Sequence, residues 1–283
     1  MRLLEYNQKL ANEYTEIINA IYRDCRPFIK ELTKGKHNGD LLYSGRRKGG
    51  DIIKSTVRNN RTPMDTPLKY HRMLDKLFKK EVGFNARSNA IFCTGSVSQA
   101  LDYSSKVYII FPIGQYKYAW SPEIKDLYDQ LFEDFDGDWI LKLGEGEDMY
   151  DEDDFDDRVD YRLRKMYDKY VDELTDLDKE DEIPDEDEYV DEHWDKVAEE
   201  IAIEMVKEAK DYNDKLLKAV VDTYKTTNLK DALASGHEIM LNCKEYYGFN
   251  RDKYENIISS VLYLTGSKKP TQSQLESILS NIL

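Results

Sequence analysis

The chain has 283 residues, enough to bury a substantial core as one large domain or two small ones, and it has no run of about 18 apolar residues that could span a bilayer. Its net charge of -15 averages two unlike regions: residues 145–200 carry 27 acidic against 7 basic side chains, whereas residues 21–90 carry 17 basic against 7 acidic. Three scattered cysteines (Cys25, Cys93, Cys243) and four histidines without paired spacing signal neither a disulfide framework nor a metal site. The expectation is a soluble cytoplasmic protein without a metal. Its basic part suits an anionic ligand, and its acidic part is either a solvated surface or a face for a basic partner.

In chain order, Leu3, Leu10, Tyr14, Ile17 and Ile21 recur at helical spacing and predict a helix of about two dozen residues that stops at Arg26-Pro27. Residues 41–44 read as a short strand that runs into Gly45, Arg46, Arg47 and Lys48. A loop at 59–65 precedes a helix framed by Thr66 as cap, Pro67 at its first position and Gly83 at its end, with Tyr70, Leu74, Leu77 and Phe78 on its apolar face. A strand at 91–94, a short helix opened by Ser96 and a strand at 107–112 follow. The alternation indicates an α+β or mixed α/β domain.

From 121 to 233 the chain is acidic and helical. Val159, Leu163, Met166, Tyr170 and Leu174 make one apolar stripe, and Val197, Ile201, Met205, Ala209 and Leu216 another; the charged run around Pro184 separates them. Two helices in a hairpin are the simple solution, each hiding one seam. Strand character returns at 238–243, and 251–283 holds two short helices, the second capped by Thr271. The organisation expected is an N-terminal helical arm (1–37), a core of 38–120 plus 234–250, an acidic helical insertion (121–233) and C-terminal helices (251–283).

The stretches "LLYSGRR" (41–47), "IFCTGSVSQALDY" (91–103) and "GHEIMLNCKEYY" (236–247) resemble, in order and character, the three sequence blocks of the ADP-ribosyltransferase superfamily. That superfamily includes poly(ADP-ribose) polymerases, mono-ADP-ribosylating toxins and phage-encoded transferases. The resemblance covers residues 38–120 and 234–249. It implies an α+β fold with a split mixed sheet, NAD as substrate, no metal, and transfer of ADP-ribose to a protein or nucleic-acid acceptor, in a host cytoplasm if the chain is phage-encoded.

The resemblance implies Glu238 as the catalytic carboxylate, and the chemistry gives that a reason. Breaking the nicotinamide to ribose bond creates an oxocarbenium-like centre, which a fixed carboxylate stabilises. It also implies that Ser44, Gly45, Arg46, Thr94, Ser96 and Tyr103 bind NAD, with Arg46 and its neighbour Arg47 on the diphosphate. Glu245 is the rival carboxylate on the opposite face of the strand by parity. Arg87 stays outside the assigned site.

Two positions depart from the family pattern. Ser44 stands where the family has His or Arg, and Gly236 stands where arginine-modifying members have Glu or Gln, so an acceptor other than arginine is expected. The alternative reading is a non-catalytic protein whose 145–200 region imitates a polyanion on a basic partner.

Overall fold

In the computed structural model, residues 3–34, 40–62, 66–133, 152–177 and 179–282 are described. Their elements, in order, are α1 (Leu3–Asp24), α2 (Arg26–Leu32), β1 (Tyr43–Gly45), β2 (Ile52–Thr56), α3 (Leu68–Glu81), β3 (Ile91–Cys93), α4 (Val97–Tyr103) and β4 (Val107–Trp120). Then come α5 (Glu152–Asp176), α6 (Glu186–Asp222), α7 (Leu229–Ser235), β5 (Ile239–Asn250), α8 (Arg251–Thr265) and α9 (Gln272–Ile282). The fold is α+β.

The two longest strands are dense in β-branched and aromatic residues, and they pair antiparallel from Tyr108↔Asn250 to Trp120↔Ile239. β1 joins the far edge of β4, with Tyr43 opposite Ile109. The free edge of β5 is shared by β3 at one end, with Cys93 opposite Ile239, and β2 at the other, with Thr56 opposite Glu245. Tyr43 and Thr94 also exchange two backbone hydrogen bonds of 2.8 and 2.9 Å, which tie β1 to the residue after β3. Every named pairing is antiparallel, where a mixed sheet was expected.

Two strands differ from the sequence reading for local reasons. β4 continues seven residues beyond Ile113 because Pro112 keeps its register opposite Tyr246 and a bulge between Ile113 and Tyr116 absorbs Gly114, at φ +72°, and Gln115. A proline followed by a glycine reads as a strand end, yet beside a bulge both are tolerated. β2 was not foreseen; it is a short edge strand with alternating exposure, so it carries little hydrophobic signal.

Helices α2 and α8 pack against the β4–β5 ladder. Their aromatic residues make a continuous core: Phe28 meets Phe111 edge-on at 5.6 Å, Phe111 meets Phe249 at 6.0 Å, and Phe249 meets Tyr254 at 6.1 Å. Such pairs contribute about 0.5–1.5 kcal/mol each beyond the area they bury. α3 begins one residue later than expected: Pro67 is its N-cap and no side chain caps it. Thr271 does cap α9, and its partner Gln274 reaches back to the Thr271 N–H at 2.9 Å, a reciprocal capping box.

The chain divides into two compact units, residues 1–133 with 219–283, and residues 134–218. In the second, Val159 and Leu163 of α5 are buried with Val197, Ile201 and Met205 of α6. Arg158–Glu208 at 3.0 Å and Arg162–Glu204 at 2.7 Å link the charged faces of the same two helices. Tyr170, Tyr189 and His193 stack, while Tyr161 is exposed. Residues 134–151 of the expected insertion lie outside the described residues.

Residues 219–233, expected within the insertion, help to build the core of the first unit. Leu229, Ala232 and Leu233 lie in its core, and Tyr224 packs edge-on against Phe78 at 4.9 Å. Replacing residues 134–218 by a flexible linker should therefore leave a protein that melts cooperatively by circular dichroism. Extending the deletion to residue 232 should abolish that transition.

Candidate active site

The end of β1, the turn from β3 into α4, and the residue ahead of β5 meet around one small cavity of about 10 Å³, room for a single water. Ser44, Gly45, Thr94, Tyr103 and Glu238, from the three separated stretches, all line it. The local backbone explains this. The Tyr43–Thr94 bridge sets the first stretch against the second, and the pairing of Cys93 with Ile239 sets the third beside both. The Glu238 N–H donates to Lys125 O at 2.8 Å, fixing the residue just before β5 begins.

Glu238 is 6% exposed. Its Oε2 lies 3.8 Å from Arg87 Nη1, and its Oε1 is buried without a hydrogen-bond partner among the described residues. Burial pushes its carboxyl up to about 8; the Arg87 guanidinium opposes the shift, the Asp126 carboxylate adds to it, and Arg61 opposes it. An orphaned buried carboxylate oxygen costs stability, so it marks either a ligand contact or stored strain.

The assigned residues have distinct roles. Ser44 donates its hydroxyl to Phe92 O at 2.9 Å, which fastens β1 to β3. Gly45 is required by close packing: a Cβ there would stand 2.1 Å from Ala100 O of α4. Thr94 is the hub of the turn. Its Oγ1 lies 2.6 Å from Gly236 O and 2.9 Å from Gln99 Oε1, and it accepts from Ser96 N–H at 3.0 Å.

Ser96 is the N-cap of α4, where its hydroxyl accepts from Gln99 N–H at 3.3 Å, and it does not line the cavity. Tyr103, half exposed, donates its hydroxyl to Asp126. Gly236 caps α7 at φ +71°, a left-handed conformation that favours glycine.

Arg46 is not where the sequence reading put it. Its guanidinium lies 4.7 Å from the centroid of Tyr246 and does not line the cavity, and Arg47 is exposed. β1 ends at Gly45, and the chain there bonds Arg46 N–H to Lys106 O at 2.8 Å, so the side chain turns toward Tyr246. The rival Glu245 sits well along β5, opposite Ile113 and Thr56, with Lys54 at 3.8 Å.

The arginines beside Glu238 are instead Arg87 and Arg61, held in the loops after α3 and β2. Asp75 of α3 accepts from Arg87 N–H at 2.8 Å, from Ser88 N–H at 3.1 Å and from the Ser88 hydroxyl, while Ser88 O accepts from Arg61 N–H at 3.2 Å. Buried His71, its basicity lowered by burial, meets the Ser88 hydroxyl at 3.0 Å. Only tertiary structure brings these side chains to the site.

Among the described residues, no group of three or more His, Cys, Asp or Glu could hold a metal ion, and no helix is long and apolar enough to cross a membrane. In comparisons with known proteins, no family model matches the chain, nor does any curated protein or solved structure.

Proposed function

We propose that the chain transfers ADP-ribose from NAD to a protein or nucleic-acid acceptor other than arginine. The observation that carries the reading is Glu238: a buried carboxyl with an unpartnered oxygen, at a cavity it shares with residues of both other family-like stretches. Buried titratable groups with displaced pKa values gather at functional sites.

When ionised, Glu238 stabilises the positive charge that develops on the ribose as its C1′–N bond breaks. Nicotinamide leaves with the bonding electron pair, the acceptor nucleophile forms the new bond at C1′, and the acceptor's proton passes to solvent. The cavity has room for only one water, so a nicotinamide ring enters only when a wall moves. Half-exposed Tyr103, released from Asp126, is the side chain placed to do so.

A second reading, a non-catalytic interaction protein on a related fold, is favoured by one observation. The hydroxyls of Ser44 and Thr94 are committed to internal hydrogen bonds. Incubation with NAD labelled in its adenylate half, with and without cell lysate, separates the two. Transfer expects label on a macromolecule together with free nicotinamide. Intact NAD under every condition supports the second reading.

A further inference from the structure

We infer that Arg61 and Arg87, gathered at the ring of Phe92 beside Glu238, form an anion site that takes a diphosphate group. The nature of the ligand, a dinucleotide, rests on the proposed ADP-ribosyl transfer; the anion site rests on its own geometry. The guanidinium carbons lie 4.2 Å (Arg61) and 4.9 Å (Arg87) from the centroid of Phe92, and Phe92 itself lines the cavity. Two like charges set around one ring repel each other. The Arg61 guanidinium is held below its ordinary pKa, first by burial and then by Arg87.

The charge that would offset them falls short. Arg87, 11% exposed at its side chain, has one carboxylate within reach, Glu238 at 3.8 Å, beyond hydrogen-bond distance, and its Nε is buried without a partner. Arg61 makes no ion pair with any described residue, and Arg58 adds a third positive charge to its surroundings. Asp126 is engaged by the Tyr103 hydroxyl and by the N–H groups of Tyr128 and Asp129, and Asp75 by the 87–88 turn.

Two guanidinium forks with unused donors, backed by an aromatic face, match an oxyanion carrying more than one charge. The turn at Ser88 gives the pair its rigidity, since Asp75 fixes Arg87 and Ser88 O fixes Arg61. Arg87 is nearly buried beside a cavity, a position open to the diphosphate of a small molecule and poorly reached by the repeating phosphates of a polymer. Arg46, whose Nε is also buried without a partner, lies over Tyr246 and does not line the cavity.

Isothermal titration of the full chain with pyrophosphate, with ADP-ribose and with a short single-stranded oligonucleotide tests the assignment. Wild type should bind pyrophosphate and ADP-ribose. Arg61→Gln and Arg87→Lys, the latter keeping a cation opposite Glu238, should each weaken binding about tenfold or more, with thermal melts showing both variants folded. Arg46→Gln should bind as wild type does.

Loss of binding in Arg46→Gln with Arg61→Gln unaffected would return the diphosphate to the first stretch and overturn the assignment. So would absence of pyrophosphate and ADP-ribose binding in wild type, or tighter Arg61-dependent binding of the oligonucleotide than of ADP-ribose. The two proposals fail separately. Arg61-dependent pyrophosphate binding without nicotinamide release removes the transferase and keeps the anion site. Nicotinamide release with binding indifferent to Arg61 and Arg87 does the reverse.

Discussion

Glu238→Gln should lower the rate of nicotinamide release from NAD by about a hundred- to a thousandfold, the loss typical when a charge aimed at a transition state is removed. NAD binding should survive, because glutamine keeps the shape of the side chain and the developing ribose charge is absent from the ground state. The same substitution should raise stability in alkaline solution. Burial lifts the Glu238 carboxyl from 4.5 to about 8, so the folded protein holds a proton that the unfolded chain gives up. That contribution is fully present below pH 4.5 and is lost as pH rises through about 8. Each pH unit in this window costs the wild-type protein up to about 1.4 kcal/mol that the amide variant keeps. Melts of the two proteins should coincide below about pH 4.5, separate progressively up to about pH 8 and keep a constant gap above it, with the glutamine variant the more stable.

Thr94→Val should destabilise the first unit by about 2–5 kcal/mol. The swap conserves shape and deletes one hydroxyl, whose single proton goes to Gly236 O at 2.6 Å or to Gln99 Oε1 at 2.9 Å and whose oxygen accepts from Ser96 N–H. Buried groups stranded in this way cost about 1–3 kcal/mol each, and Thr94 is only 3% exposed. Because the bond to Gly236 ties the second stretch to the third, the valine variant should also release the segment before Glu238. Hydrogen exchange at the Glu238 N–H, bonded to Lys125 O, reads that loosening directly. Thr94→Ser keeps the hydroxyl and should stay within about 1 kcal/mol of wild type. Equal stability of the valine and serine variants would show that the hub is dispensable.

What was legible in the sequence followed from local physics. The α1 periodicity, the Ser96 and Thr271 caps and the two apolar seams of the acidic hairpin depend on neighbours three or four residues away. Glu238 was legible only through the resemblance of three stretches, since an acid at a strand start is ordinarily exposed. The remainder depended on long-range packing. Nothing near Arg61 or Arg87 marks them as partners of Glu238, far along the chain, because the Asp75 carboxylate and the Ser88 carbonyl place them only once α3 and the loops around it have packed. Arg46 lies outside the cavity for the complementary reason. A cation beside a glycine turn reads as a phosphate contact, but Tyr246 draws its side chain elsewhere. Gly45 fits the ligand-binding pattern and Gly236 departs from it, and each has a backbone reason, close approach to Ala100 in one case and a left-handed helix cap in the other.

The central claim is that Glu238, when ionised, stabilises charge on a ribose losing nicotinamide. The most direct measurement is the initial rate of nicotinamide release from NAD by the full chain, from about pH 6 to about pH 10, beside Glu238→Gln. The account predicts a rate that climbs through one ionisation at about 8, where burial places the Glu238 carboxyl, and levels off above it, with the glutamine variant low and flat throughout. No release at any pH, or equal rates for the two proteins, would contradict it.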